Sequence, residues 1–138
     1  MGADEVINPK REKPVQKIKE MTGGIGVDLA VEFVGLKETI EQAIRCIRVG
    51  GRVVMVGLGP EIISLPPPAA FVRTELSLLG SYGSTTGEIQ RVIDLAASGK
   101  LKLSESITER FPLKEVNKGL NHLYKKIGNP IRIVIEID

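Results

Sequence analysis

The chain has 138 residues, enough for one domain with a substantial hydrophobic core. Its 19 basic and 17 acidic residues are interleaved, and with no Trp, two Tyr and three Phe it has no platform for stacking bases, which argues against a nucleic-acid or membrane partner. The single cysteine, Cys46, excludes an internal disulfide. Because neither a signal peptide nor a long apolar run is present, the cytoplasm is the expected compartment.

The N-terminal stretch predicts one short strand and one helix. Residues 4–7 are predicted to form a strand that the following Asn-Pro pair ends. Pro14 is well placed to start a helix, because the N–H that proline lacks would have no partner in the first turn. Two glycines at 23–24 are predicted to follow the end of that helix.

Residues 26–58 predict a strand, a helix and a second strand. The apolar runs at 27–34 and 53–56 do not alternate with polar residues, which is typical of parallel strands that are covered on both faces. We expect the two glycines at 50–51 to end the helix between them, whose apolar stripe is Ile40, Ala43, Ile44 and Ile47. Parallel strands of this kind bind ligands at their carboxyl ends, here residues 33–35 and 56–58.

The C-terminal half predicts two more strands and two helices. Three prolines hold residues 62–68 extended and irregular before a strand at residues 76–82. A capping box formed by Thr85 and Glu88 starts a helix whose inward face is Ile89, Val92, Ile93 and Ala96. The last helix has one apolar face, made of Val116, Leu120, Leu123 and Ile127. Isoleucine at every second position of 131–137 predicts a final strand with a drier and a wetter face.

Few side chains could perform catalysis or hold a metal. A zinc site needs three or four Cys, His, Asp or Glu ligands, and a chain with one cysteine and one histidine has no plausible zinc site of the enzymatic kind. Cys46 lies between apolar residues of its helix and is expected to be a small buried apolar residue. His122 lies among polar residues and is expected to be solvated. Gly57 and Gly59 begin a dinucleotide-binding pattern but the third glycine is missing.

Seven segments follow one another along the chain in the order in which a known family has them: GADEVIN, TGGIGVDLAVEFVG, IRVGGRVVMVGLG, ELSLLGSYGS, LAASGKLK, ITERFPLKEVNKGL and IRIVIEI. Through them the chain resembles the C-terminal, cofactor-binding part of a zinc-dependent alcohol dehydrogenase, in the medium-chain dehydrogenase/reductase family. The resemblance implies an α/β, Rossmann-like fold with a mostly parallel sheet and flanking helices, lacking the first two strands of the complete dinucleotide fold. Residues 1–138 are then a single, partial dinucleotide-binding domain.

The resemblance also implies which residues line a cofactor cleft. Val56, Gly57 and Leu58 look like the wall beside the nicotinamide, where small and apolar residues let the backbone approach a ring. Phe33 and Val34 look like the wall beside adenosine and the nicotinamide ribose. An alternative is that Gly57 only ends a strand.

Three further residues are implied in the same way. Ser81 and Tyr82 look like the segment whose main chain meets the carboxamide, although the run GSYGS is shorter here than in some relatives. Arg132 matches an arginine that reaches the cofactor pyrophosphate in the family, and a guanidinium suits two phosphate oxygens well. The alternative for Arg132 is an exposed arginine on a strand, which needs no function.

What the chain lacks limits the implied function. The family's zinc ligands, glycine-rich turn and acidic ribose-binding residue lie in a part that these residues do not match. We therefore expect a partial NAD(P)-binding domain of an alcohol dehydrogenase-type oxidoreductase that is inactive alone, with weak or absent binding of NAD or NADP. One alternative is a non-catalytic dimerisation or binding module. A less favoured one is an S-adenosylmethionine-dependent methyltransferase-like domain, which residues 47–54 also resemble but which would end in an antiparallel hairpin.

The partner predictions follow from unpaired strand edges. A homodimer is expected through residues 75–80 and 131–137, because an unpaired edge is a template for another chain. The strand at residues 4–7 is expected either beside the strand near Val27 or paired with the partner. A separately encoded N-terminal catalytic domain is a further candidate partner.

Overall fold

Three parallel strands and three helices make up residues 4–83 of the structure, a computed structural model that describes residues 2–137. The helices are α1 (Pro14–Met21), α2 (Lys37–Cys46) and α3 (Pro68–Arg73), and the strands are β1 (Val27–Glu32), β2 (Ile47–Met55) and β3 (Ser77–Gly80). The strands lie in the order β1-β2-β3 and both pairs are parallel. The predicted order of neighbours and the α/β class are confirmed.

The junction between α2 and β2 differs from the prediction. We expected the glycines at 50–51 to end the helix, but α2 ends at Cys46 and both glycines lie inside β2. The register of β1 against β2 shifts between Val27 and Leu29, because β2 carries extra residues there. Gly50 has a φ of +71°, which favours glycine, and its N–H donates to the carbonyl oxygen of Thr74 over 2.8 Å. The glycine pair therefore lies in a β-bulge of β2 and does not end the helix.

The core of this unit surrounds its middle strand. Val53 of β2 has 0% of its surface exposed. The buried apolar residues that form a cluster with it are Ile40, Ile44, Ile47 and Leu76. The stripe predicted from helical spacing is thus confirmed at its buried members. Cys46 is buried as expected, and desolvation raises the pKa of its thiol.

Two local predictions in this unit were wrong. Residues 4–7 form no strand and pair with none of the strands described between residues 2 and 137, so the expected pairing beside β1 is wrong, while pairing with a partner stays a prediction. An isolated strand leaves its backbone groups unpaired, so the local pattern alone could not form one. Residues 62–67 are irregular as predicted, but Pro68 begins α3, because the first position of a helix is where proline costs no hydrogen bond.

Residues 84–137, with residues 2–3, form a second compact unit. It contains the helices α4 (Thr86–Ala97) and α5 (Val116–Lys125) and the strands β4 (Ile107–Pro112) and β5 (Arg132–Glu136), which pair in parallel. Sequence reasoning missed β4. The final strand was predicted, but its drier and wetter faces are not seen, because the three residues Ile133, Val134 and Ile135 are all half-buried.

Helix α4 has the predicted start, but its predicted inward face is not buried. The side chain of Thr85 accepts from Glu88 N (3.3 Å) and Glu88 Oε2 accepts from Thr85 N (2.7 Å), which completes the capping box. The apolar face predicted to be buried is instead largely exposed at Ile89, Val92 and Ile93. At 12 residues α4 is short, and no helix within residues 2–137 has both the length and the apolar character of a membrane span.

Helix α5 packs on its strands through a glycine. Gly119 is buried, and a Cβ built there would lie 3.1 Å from Phe111 Cδ2 and 3.2 Å from Ile135 Cδ1. The predicted face at Leu120 and Leu123 is exposed, and Ile127 lies beyond the end of the helix. Large apolar residues suggested the wrong face, because the missing side chain of glycine is what allows the close approach.

Candidate functional site

The carboxyl ends of β1 and β2 meet through main-chain hydrogen bonds. The N–H groups of Val56 and Gly57 both donate to the carbonyl oxygen of Glu32, over 2.8 and 3.1 Å. Residues 33–35, which follow β1, therefore lie against residues 56–58, which follow β2. These are the two strand ends at which the sequence predicts a ligand site.

The backbones of the two segments approach each other closely. A Cβ built on Gly57 would collide with the backbone N of Gly35 and would lie 2.6 Å from the carbonyl carbon of Val34. A Cβ on Gly35, which has a φ of +80°, would lie 2.5 Å from the carbonyl carbon of Leu58. No side chain fits between the segments at this point, so the close contact requires a glycine at position 57. The residue therefore does more than end a strand.

Exposed apolar side chains stand around this backbone contact. Phe33 is 71% exposed, Leu58 is 77% exposed, and Val34 is exposed as well, while Val56 is half-buried. Apolar side chains beside bare backbone can pack against a flat ring while N–H and C=O groups make polar contacts. The geometry suits the predicted cofactor walls, and the binding roles of Phe33, Val34, Val56, Gly57 and Leu58 stay predictions.

Ser81 and Tyr82 follow β3 at the same edge of the sheet. Ser81 N donates to the carbonyl oxygen of Met55 over 2.9 Å, which continues the pairing one residue past the strand. The Tyr82 side chain is largely exposed. All predicted site residues apart from Arg132 therefore follow the carboxyl ends of three neighbouring parallel strands.

Arg132 belongs to the second unit, where it is the first residue of β5. It is exposed, it pairs with Ile107 in the strand register, and its carbonyl oxygen accepts from Thr108 Oγ1 over 3.2 Å. Its contact with a pyrophosphate stays a prediction, as does the alternative of an exposed arginine without a function.

An open groove of about 470 Å³ runs along β1 between α1 and α2 and reaches Phe33 and Val34. Its lining is mostly apolar and includes Leu29 and Val31 of β1, which are both about half exposed. Within residues 2–137, β1 has a neighbouring strand on one side only. The groove and the free strand edge together could accept another segment of polypeptide.

Sequence reasoning missed Glu32, the last residue of β1. It is 5% exposed, and its carboxylate accepts hydrogen bonds from Val34 N (2.7 Å) and Gly35 N (3.0 Å). A signal for it exists in the sequence, because an acidic residue that closes an apolar run three positions before a glycine can bind the backbone of the turn that follows.

His122 is not the solvated residue that we expected. Its Nδ1 lies 2.8 Å from Glu109 Oε2, both side chains are about one-quarter exposed, and the imidazole meets the ring of Phe111 edge-on with centroids 5.3 Å apart. The pair spans α5 and β4. Within residues 2–137, no three His, Cys, Asp or Glu side chains are placed to share a metal ion.

Comparison with known proteins identifies the family. Residues 1–98 match the family described as zinc-binding dehydrogenase. The alcohol dehydrogenase of Geobacillus stearothermophilus is 35% identical over 138 residues, which are 100% of this chain and 39% of that protein. The L-threonine 3-dehydrogenase of Thermococcus kodakarensis is 34% identical over 112 residues, which are 80% of this chain and 32% of that protein. The chain thus spans well under half of these relatives.

Solved structures match over nearly the whole chain. The alcohol dehydrogenase TADH from Thermus sp. ATN1 gives a TM-score of 0.86 with 27% identity, covering 96% of this chain and 38% of that one. AibC gives a TM-score of 0.82 with 33% identity, covering 99% of this chain and 40% of that one. The chain belongs to the zinc-binding dehydrogenase family and corresponds to the C-terminal, cofactor-binding part of a medium-chain zinc alcohol dehydrogenase.

Proposed function

We propose that this chain is a partial NAD(P)-binding domain of an alcohol dehydrogenase-type oxidoreductase and that it does not transfer hydride by itself. The observation that supports this most is the backbone contact between Gly35 and Gly57, flanked by exposed apolar side chains at the carboxyl edge of a parallel sheet. The cytoplasm is the compartment that we propose for it.

The residues present fit the ring end of a dinucleotide better than its phosphates. Phe33, Val34 and Leu58 can pack on flat rings, and the main chain of Ser81 and Tyr82 can meet a carboxamide. A bound nicotinamide supplies the hydride acceptor or donor. The sequence contains no Gly-x-Gly-x-x-Gly run to cradle the pyrophosphate at a helix N-terminus. We therefore expect NAD and NADP to bind with Kd above about 100 µM, weaker than about 5.5 kcal/mol.

The donor set does not fit a catalytic zinc. One histidine and one cysteine are present, and Cys46 is buried on α2. Alcohol oxidation then requires zinc ligands from another polypeptide segment. The groove along β1 and its unpaired edge support a partner that carries those ligands and the phosphate cradle, either in a longer chain or as a separately encoded N-terminal catalytic domain.

A titration with NADH and NADPH tests the cofactor role. We expect amide resonances of residues 33–35 and 56–58 to shift at millimolar cofactor. Leu58→Glu should weaken binding at least about fivefold, because it places a negative charge beside the ring site near an anionic ligand. Val72→Glu is the matched control, since Val72 is equally exposed but lies on α3. Shifts confined to other residues, or equal effects of both variants, would contradict the proposal.

An activity assay tests the inactivity of the chain alone. We expect no oxidation of alcohols with NAD or NADP, with or without added zinc. Zinc-dependent turnover by the purified chain would contradict this expectation. Turnover that appears only after an N-terminal dehydrogenase segment is added would support the partner.

The alternative of a dimerisation module has one observation in its favour. β3, which covers most of the edge predicted at residues 75–80, is one of the two edge strands of its sheet, and Leu79 on it is nearly half exposed. We propose a homodimer that pairs through such edges. Light scattering should give twice the monomer mass for the unmodified chain. For Leu79→Lys it should give the monomer mass, because lysine blocks pairing of an edge strand. A monomer mass for the unmodified chain at high micromolar concentration would contradict the dimer.

A further inference from the structure

A buried carboxylate lies directly beneath the two segments that form the candidate cofactor wall. Glu32 Oε1 accepts from Val34 N over 2.7 Å and from Gly35 N over 3.0 Å, and Oε2 lies 3.0 Å from the same Gly35 N. Thr39 Oγ1 of α2 lies 2.8 Å from Oε1. With 5% exposure the carboxylate has little access to water, so these donors supply its hydrogen bonds.

The main chain of the same residue holds the opposite segment. The Glu32 carbonyl oxygen accepts from Val56 N over 2.8 Å and from Gly57 N over 3.1 Å. One residue therefore binds the turn after β1 with its side chain and the end of β2 with its backbone. The spacing between the turn and the strand end depends on both sets of hydrogen bonds.

We infer that Glu32 is the positioning residue of the cofactor wall, because its carboxylate fixes the Val34–Gly35 backbone against residues 56–58 and so sets where Phe33 and Val34 stand. Glu32 itself is 5% exposed, which leaves its carboxylate little surface for a direct contact with a ligand. This inference rests on the proposed cofactor role of those residues. It assigns a function to a residue that is buried.

The donors around the carboxylate match the accepting oxygens of a glutamate. Two backbone N–H groups and one hydroxyl surround it, and a carboxylate offers two accepting oxygens. In Glu32→Gln the amide N–H₂ group would replace either Oε1, which Val34 N, Gly35 N and Thr39 Oγ1 approach, or Oε2, which Gly35 N approaches. In both orientations it faces Gly35 N, so two donors oppose each other in a buried place. The turn should then loosen although the side chain has kept its size.

Amide hydrogen exchange on the full chain tests the positioning role. In Glu32→Gln, exchange at Val34 and Gly35 should accelerate about tenfold or more, while exchange at Val53 in the core is unchanged. Glu38→Gln is the matched control, because Glu38 is an exposed carboxylate on α2 that accepts from the Gln42 side chain, and it should change neither site. Thr39→Val removes the hydroxyl, which lies 2.8 Å from Glu32 Oε1 and 2.9 Å from the carbonyl oxygen of Leu36, and should give a smaller acceleration at the same two amides.

A cofactor titration on the same proteins separates this inference from the proposed function. NADH should bind Glu32→Gln at least about fivefold more weakly than the unmodified chain, and Glu38→Gln should bind as the unmodified chain does. If the unmodified chain binds NADH and Glu32→Gln binds equally well, the inference is overturned and the proposed function stands. If the unmodified chain shows no NADH-induced shifts, the proposed function fails, and the exchange data alone decide whether Glu32 holds the turn.

Two exchange results would overturn the inference. One is unchanged exchange at Val34 and Gly35 in both Glu32→Gln and Thr39→Val. The other is an equal acceleration at Val53, which would show that Glu32 supports the fold as a whole. If Glu32→Gln does not fold, Thr39→Val decides the question through the same amides.

Discussion

The two units of the chain bury their apolar side chains to very different extents. In residues 4–83 a middle strand has a neighbour on each side, and Val53 and Ile44 are buried within one cluster. In residues 84–137 two strands form the whole sheet, Phe111 is the main buried apolar side chain, and the apolar face of α4 is exposed. Apolar residues therefore give a core only where layers of structure exist to enclose them.

The comparison predicts that one aromatic ring carries most of the packing in the second unit. Phe111→Ala should lower the free energy of unfolding by about 3–5 kcal/mol, because it removes a buried ring that contacts Gly119 and His122. Tyr124→Ala, at an exposed ring on the same unit, should change it by about 0.5 kcal/mol or less. Urea denaturation followed by circular dichroism measures both. Equal losses would mean that burial does not distinguish the two rings.

Alanine substitutions of one isoleucine in each unit should differ in their cost to stability. Ile44→Ala should cost about 2–5 kcal/mol, because Ile44 is buried in the core cluster. Ile93→Ala should cost about 0.5 kcal/mol or less, because Ile93 is 53% exposed on α4 and alanine favours helices. The same denaturation experiment applies. A large loss for Ile93→Ala would show that a partner or neighbour covers α4 in solution.

A smaller effect is expected at the start of α4. Thr85→Ala should destabilise the chain by about 1 kcal/mol, because it removes the side-chain oxygen that accepts from Glu88 N. Helical circular dichroism during thermal unfolding measures this loss. Ser98→Ala, at the other end of α4, is the control and should have less effect.

The capping box also predicts a dependence on pH. The hydrogen bond from the Thr85 backbone holds the pKa of Glu88 below its ordinary value of 4.5. A depressed folded-state pKa stabilises the helix above pH 4.5, and the stabilisation is lost as the pH falls through the folded pKa. Glu88→Gln should therefore reduce the acid sensitivity of α4. An unchanged acid transition in that variant would contradict the assignment.

The smallest predicted effect distinguishes two helical glycines. Gly87→Ala should stabilise the chain by about 0.4–1 kcal/mol, since nothing lies within 4 Å of a Cβ there. Gly119→Ala should give no gain, because its Cβ would crowd Phe111 and Ile135. Thermal unfolding of both variants decides this. An equal gain would mean that α5 can move away from its strands without cost.

The sequence predicted elements whose patterns are local and missed those that depend on distant neighbours. The strands near Val27 and Val53 and the stripe at Ile40 and Ile44 follow from unbroken apolar runs and helical spacing, and the structure contains them. The strand expected at 4–7 is absent, because pairing needs a neighbour that no local pattern specifies.

The position of the candidate site was predictable from the sequence, but the hydrogen bonds that hold its backbone in place were not. Parallel strands place their carboxyl ends at one edge, so the sheet order alone brings together residues 33–34, 56–58 and 81–82. The role of Glu32 was not predicted, because it depends on hydrogen-bond donors that only the folded chain brings together. One of them, Thr39, is seven positions away in the sequence. The choice between NAD and NADP and the identity of a partner depend on chemistry beyond these residues.

The glycine at position 59 has a consequence for mutational scanning. Gly59 is exposed, yet a Cβ there would strike the carbonyl oxygen of Gly35. Solvent accessibility is the usual guide to tolerant positions, and by that guide codon 59 would be randomised freely. At Gly80, also exposed, the same added atom meets nothing within 4 Å. In a library built on this chain, codon 80 should accept many residues and codon 59 almost none, so surface glycines are better ranked by what an added methyl group would hit.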